Sequence, residues 1–215
     1  KPFKSIVFSI ILPMILSLIF TYVVWYVTAV FSILSYIGIF SGSLILFSYL
    51  YRILSNFFYK KFINIGSAVA HIGFGLLFLA ISFNSILSYE KNLNLAPGET
   101  ILIDESIEEF SFDDIKVLKA SNHDVISVEV SLLQDGKNIF LNPQKRKYAT
   151  RGQITTESSI HASILKDTYL TIGDQLENGS WTFALKINYF IKWIWFSASL
   201  MVMGMLITIF KKKAI

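Results

Sequence analysis

The chain has 215 residues, 53% hydrophobic and 16% charged, with a mean hydropathy of +0.56, a composition that excludes an ordinary soluble globular protein. All 15 Asp and Glu lie between Glu90 and Glu177, in a stretch with ten Lys and Arg up to Ile187, whereas the rest of the chain holds nine bases and no acid. The net charge of +4 therefore averages two unlike parts, and because the surplus bases border apolar runs it is not a nucleic-acid signal.

Ser5 to Tyr51 is a run of 47 residues without a formal charge. As one helix it would be roughly 70 Å long, about twice a bilayer core, so it must turn back on itself. Trp25 and Tyr26, followed by Thr28, mark an interfacial anchor where it does so. Spans are thus predicted at about 5–26 and 29–51. The chain opens with Lys1, and its first apolar run is too long for a signal core and lacks an Ala-x-Ala exit, which favours a spanning helix. A third uncharged run gives a span at about 63–89, and a fourth falls at 190–210, where Lys192 snorkels toward the headgroups. Residues 211–215 form a basic tail.

Lys1 and Lys4, then Arg52, Lys60 and Lys61, then Lys211 to Lys213 flank the ends that share one side, while the first hairpin is uncharged. By the positive-inside rule both termini lie on the cytoplasmic or matrix side and residues 90–187 lie outside. That outer region reads as β-rich. Val125 to Leu132 partly alternates apolar and polar residues, Gln134-Asp135-Gly136-Lys137 supplies a turn, and Asn138 to Leu141 returns. Shorter strand candidates are Thr100–Ile103, Phe110–Leu118, Ser159–Leu165, Tyr169–Ile172 and Trp181–Ile187. The fold class is an α-helical integral membrane protein with an inserted extracytoplasmic β-rich domain, a barrel or a sandwich.

Cysteine is absent, which excludes a thiol nucleophile, a thiolate haem ligand and a Cys-based zinc site within this chain. No phosphate loop, Ser-His-Asp set or acid–base carboxylate pair stands out, so no residue is assigned as catalytic. His71 is the most informative residue, because an imidazole inside a membrane helix is a functional candidate by default. Ser67 at i−4 and Gly75 at i+4 leave its face without bulk, with Phe74 and Phe78 along the same side. Two readings stay open: an axial ligand to haem iron, with a flat macrocycle over the small residues, or a packing histidine bonded to a neighbouring helix. His123 and His161, in the outer region, read as solvated. Lys145, Arg146 and Tyr148 concentrate charge and an aromatic ring after a strand, suited to propionates, phosphates or an acidic partner, or else simply a solvated turn. Trp193 and Trp195 suit an interfacial belt or a contact with a partner subunit.

The order of motifs adds a resemblance. Ala70-His71-Ile72-Gly73-Phe74-Gly75-Leu76-Leu77, Leu95-Ala96-Pro97-Gly98-Glu99-Thr100, Asn142-Pro143-Gln144-Lys145-Arg146-Lys147-Tyr148, Asp167-Thr168-Tyr169, and Trp193-Ile194-Trp195 leading to Met201 and Gly204 resemble the C-terminal part of the CcmF/NrfE/CycK-like haem lyase family, from about Ile63 onward. The chain departs from that pattern at Gln144, Tyr189 and Ser197, where the family usually has Glu, Pro and Gly.

The resemblance implies a component of a membrane haem lyase complex that attaches haem to apocytochrome c, with thioether formation shared among subunits. It implies that His71 ligates a b-type haem, with Ser67, Gly75, Lys145, Arg146, Tyr148, Trp193 and Trp195 as haem-pocket or partner contacts. The implied partners are the remaining N-terminal part of the lyase, if it is split or truncated, a haem chaperone, apocytochrome c and a thiol-reducing subunit. The implied location is the bacterial inner or mitochondrial inner membrane. The competing reading is a non-catalytic scaffold whose outer β domain recruits assembly partners.

Overall fold

The computed structural model describes residues 2–58, 64–103, 107, 109–120, 122–149 and 152–213. Lys1, Lys60 and Lys61, which carry part of the orientation argument, lie outside the described residues, as do Ala214 and Ile215 of the basic tail. The chain forms two compact units, Lys1–Ser88 with Tyr189–Ile215, and Tyr89–Asn188.

The first unit holds four helices, α1 (Pro2–Thr28), α2 (Ile33–Phe58), α3 (Ile65–Leu87) and α4 (Ile191–Lys213). Each contains a stretch of at least 20 residues long and apolar enough to cross a bilayer. α1 runs two residues beyond Tyr26, because the aromatic anchor sits inside the last turn rather than after it. Ala29 then closes the helix at φ +51°, its N–H bonded to the Trp25 carbonyl at 2.9 Å. The Tyr36 hydroxyl donates to the Val30 carbonyl (2.7 Å) and pairs with the Thr28 hydroxyl (2.9 Å), pinning the hairpin. α2 begins at Ile33, and it continues past Arg52 to Phe58 instead of stopping at Tyr51. Arginine is a good helix former whose stem stays apolar, so one charge does not end the helix.

α2 and α3 run antiparallel along a seam of small residues. The Ser35 hydroxyl donates to that of Ser85 at 3.1 Å, Gly38 lies against Ser82, and Gly42 lies against the Gly75 carbonyl. A second seam joins α3 to α4, where Gly66 and Ala70 meet Gly204 and Gly73 meets Ser197, Leu200 and Met201. At its far end the Asn84 amide donates to the Tyr189 carbonyl at 2.6 Å, and the Ser88 hydroxyl accepts from Tyr189 N–H at 3.0 Å. In lipid, where apolar burial gives helices no preference for each other, such close backbone approach is what holds them together.

The second unit is a β-sandwich, which settles the choice between barrel and sandwich. One sheet has the order β1 (Tyr89–Leu95), β10 (Trp181–Tyr189), β9 (Lys166–Gln175), β8 (Ser159–Ala162). The other runs β2 (Thr100–Ile101), β3 (Glu109–Lys119), β4 (His123–Gln134), β6 (Gln144–Tyr148), β7 (Ile154–Glu157), with β5 (Lys137–Leu141) also on β4. The expected hairpin forms around Asp135 and Gly136, both at positive φ, with Gln134 opposite Lys137. Phe110 and Phe112 from one sheet pack edge-on to Phe183 from the other, at ring separations of 5.6 and 5.1 Å. Leu95, Val128, Leu132, Leu170, Ile172, Leu185 and Ile187 complete a dry centre.

Candidate functional site

α3 starts at Asn64, whose side chain accepts a bond from the Ser67 N–H (3.3 Å) and so caps an otherwise orphaned donor. One turn on, the His71 Nδ1 lies 2.8 Å from the Ser67 carbonyl. A carbonyl can only accept, so Nδ1 carries the hydrogen, and in the neutral ring the lone pair is then on Nε2. This is the arrangement metal-binding histidines use, with one nitrogen held by a backbone oxygen and the other free to ligate. His71 is exposed on the helical unit, and Nε2 has no partner among the described residues.

The ring is also held from the side. Tyr49 of α2 stacks on it with centroids 4.7 Å apart and planes 24° from parallel, and the Arg52 guanidinium carbon stands 6.0 Å from the Tyr49 ring centre. Arg52 shares a cleft of about 320 Å³ with Ser9 of α1 and with Ser48, Tyr49, Tyr51, Ser55 and Asn56 of α2. Sequence reasoning passed over Tyr49 and Arg52. Only the isolated charge after a long uncharged run could have flagged Arg52, and nothing linear pairs Tyr49 with His71.

The small residues around His71 divide in the structure. Ser67 supplies the carbonyl that fixes the imidazole. Gly75 is buried in the α2 seam, where an added Cβ would come 3.0 Å from the Gly42 carbonyl, so its lack of bulk serves helix packing. Phe74 and Phe78 pack edge-on to each other at 4.9 Å. The donor set fits haem: an imidazole with Nδ1 fixed by a backbone carbonyl, on an open helix face with an aromatic neighbour. Among the described residues no cluster of three or more metal-ligating side chains forms.

In the sandwich, Lys145, Arg146 and Tyr148 lie on β6, so the residues that could have formed a solvated turn form a strand, with Lys145 reaching the other sheet and Arg146 paired with β7. Lys145 donates to Asp174 and to the Gly173 carbonyl (3.2 Å) on β9. Arg146 bonds the Gln144 amide oxygen at 2.9 Å and faces Glu157 at 3.6 Å. Tyr148 stacks near His123, 5.2 Å between centres, so His123 is half-buried, whereas His161 is exposed. In α4, Trp193 packs edge-on to Phe196 at 5.8 Å and Trp195 is exposed. His71, Ser67 and Gly75 thus share α3, Trp193 and Trp195 share the start of α4, and the β6 residues form a separate group.

Residues 86–189 match the family model described as the CcmF C-terminal beta-sandwich. The chain is CcmF-like, matching the family's C-terminal part. It is 32% identical over 140 residues to the cytochrome c-type biogenesis protein CcmF of Pseudomonas aeruginosa, covering 65% of this chain and 21% of that one. It is likewise 32% identical over 146 residues to CcmF of Escherichia coli strain K12, covering 67% and 22%. The solved structure of the cytochrome c heme lyase CcmF shares its fold at a TM-score of 0.66 and 13% identity, over 96% of this chain and 34% of that one. The chain therefore spans about a fifth of the length of the curated CcmF relatives it matches. It is a multi-pass membrane protein in which four apolar helices accompany an inserted CcmF-like β-sandwich.

Proposed function

We propose that this CcmF-like chain works within a membrane haem lyase assembly that attaches haem to apocytochrome c, and that His71 is an axial ligand of a b-type haem there. The observation that carries this is the imidazole geometry. A histidine whose Nδ1 is held by its own helix and whose ring is stacked by Tyr49, yet whose Nε2 is free, is prepared for iron. A packing histidine would spend both nitrogens on neighbouring helices. Haem bound here supplies an iron centre able to change oxidation state. Ser67 fixes the tautomer, Tyr49 limits ring rotation, and the tight glycine seams keep α3 from shifting against α2 and α4.

A second histidine ligand would have to come from outside this chain's helical unit, which holds no other histidine. The sandwich, acidic overall and outside the membrane in this reading, meets the haem chaperone, apocytochrome c or a thiol-reducing subunit, since the chain itself has no thiol. The membrane is a bacterial or mitochondrial inner membrane, with both termini on its cytoplasmic or matrix face.

The test is an absorption spectrum of the membrane-purified assembly containing this chain, oxidised and then dithionite-reduced. The wild type shows a b-type spectrum, and His71→Ala loses it while the assembly stays intact. An unchanged spectrum in the variant makes His71 a packing residue.

A further inference from the structure

Arg52 is an isolated cation. The helical unit contains no Asp or Glu at all, because the first acid in the chain is Glu90 and the last is Glu177, both in the other unit. Arginine is never neutral in practice, and an exposed guanidinium near a helix end pairs with an anion where one comes within reach. Arg52 lies inside α2, six residues before its end. The anion that balances it is therefore supplied from outside the unit.

The surroundings narrow what that anion is. The cleft around Arg52 is lined by Ser9, Ser48, Tyr49, Tyr51, Ser55 and Asn56, polar side chains none of which carries a negative charge. Arg52 also sits beside the one ring that stacks on His71. The guanidinium is 6.0 Å from the Tyr49 centre, and Tyr49 is 4.7 Å from the imidazole centre, so at most the sum of these separates cation from ligand. A macrocycle held at His71 brings its own carboxylates, which are costly next to an apolar layer unless a cation meets them. A planar guanidinium can take a carboxylate in two parallel bonds.

We propose that Arg52, with the polar cleft beside it, anchors a propionate carboxylate of the haem that His71 ligates. This rests on the haem reading of His71. Arg52 is then a haem-binding residue on α2, and Tyr49 is a positioning residue between the two. The alternative source of the anion is a lipid headgroup phosphate at the membrane surface.

The experiment compares haem with haem dimethyl ester, in which both carboxylates are masked, in the haem-depleted intact assembly. The readouts are affinity by absorption titration and the midpoint potential of the bound iron. Wild type is expected to favour free-acid haem by about tenfold or more, the scale of a charge-assisted pair. Arg52→Gln is expected to keep the b-type spectrum, lose that preference and lower the midpoint potential, since a nearby cation stabilises the reduced iron. Arg52→Lys restores the potential and only part of the preference. Wild type that binds both forms equally, or Arg52→Gln that retains the preference, assigns Arg52 to headgroups and overturns the proposal. Because the ester comparison on wild type needs no substitution, misfolding of a variant leaves it decisive. Haem binding that survives His71→Ala overturns the ligand reading separately.

Discussion

Single residues set two kinds of polar pairing in this chain. Gln134 and Thr168 are buried in the sandwich, where the Thr168 hydroxyl donates to the Gln134 amide oxygen at 2.9 Å and Gln134 Nε2 has no partner. Buried polar groups left unpaired cost more than a made bond contributes. Thr168→Val, close in shape, is expected to destabilise the unit by about 1–3 kcal/mol, because it orphans the amide completely. Adding Gln134→Leu should recover most of that loss, since both polar partners are then gone. Chemical denaturation of the single and double variants checks it, and additive losses would show that the pair acts by volume alone. At the surface, the Glu129 carboxylate raises the Lys116 ammonium above the ordinary lysine range by hydrogen bonding and by charge. Whatever stability this pair adds is complete below the unfolded lysine's pKa and fades as pH rises through the folded one, well above neutrality. Sequence pattern could not have found either pair, because strand partners are set by register between distant segments.

Helices and strands were legible to different degrees. The spans were visible because lipid demands long uncharged runs, and α3 with its histidine could be read directly. Their ends were less visible, since Trp25, Tyr26 and Arg52 mark interfaces rather than helix termini. Strand β1 escaped notice because its Glu90, Lys91, Asn92 and Asn94 mask an edge strand that buries only Leu95. Strand β6 looked like a turn because Lys145, Arg146 and Lys147 follow Pro143, yet their partners lie on neighbouring strands. Gly75 could be read as space for a ligand or as a packing surface, and it lies in the seam against α2. Gly204, in the seam with α4, shows how tight such contacts are: an added Cβ would lie 2.4 Å from the Ala70 nitrogen and 2.6 Å from the Gly66 carbonyl, both backbone atoms that cannot yield. Gly204→Ala is expected to push α4 off α3 at a cost of roughly 1–3 kcal/mol, while Gly98→Ala in the sandwich turn pays only for its positive φ. Thermal unfolding of the detergent-solubilised protein, with haem content followed in parallel, distinguishes them. Only the Gly204 variant should loosen the helical unit, and with it any haem held at His71 under the proposed reading.

At the scale of the whole molecule, the charge segregation has a consequence that can be measured. All acids fall in the unit Tyr89–Asn188, and the helical unit carries bases alone, so the positive-inside rule makes a single topology favourable. That topology puts the turn between β4 and β5 outside and the end of α2 inside. The absence of cysteine makes the test clean, because any thiol introduced is the only one. Asp135, exposed at the tip of that turn, and Phe58, exposed at the last position of α2, are suitable sites. In spheroplasts, a membrane-impermeant maleimide is expected to label Asp135→Cys at once and Phe58→Cys only after the membrane is opened. Asp135→Cys gives up an exposed ion pair with Lys166 (2.8 Å) and Phe58→Cys an exposed edge-on contact with Phe57 (5.9 Å), so both variants should remain folded. The reverse labelling pattern would put the sandwich on the side that the flanking bases mark as inside and would overturn the charge argument. Equal labelling of both sites in closed spheroplasts would mean that the bases do not fix one orientation, and the placement of Arg52 near the inner face would fall with it.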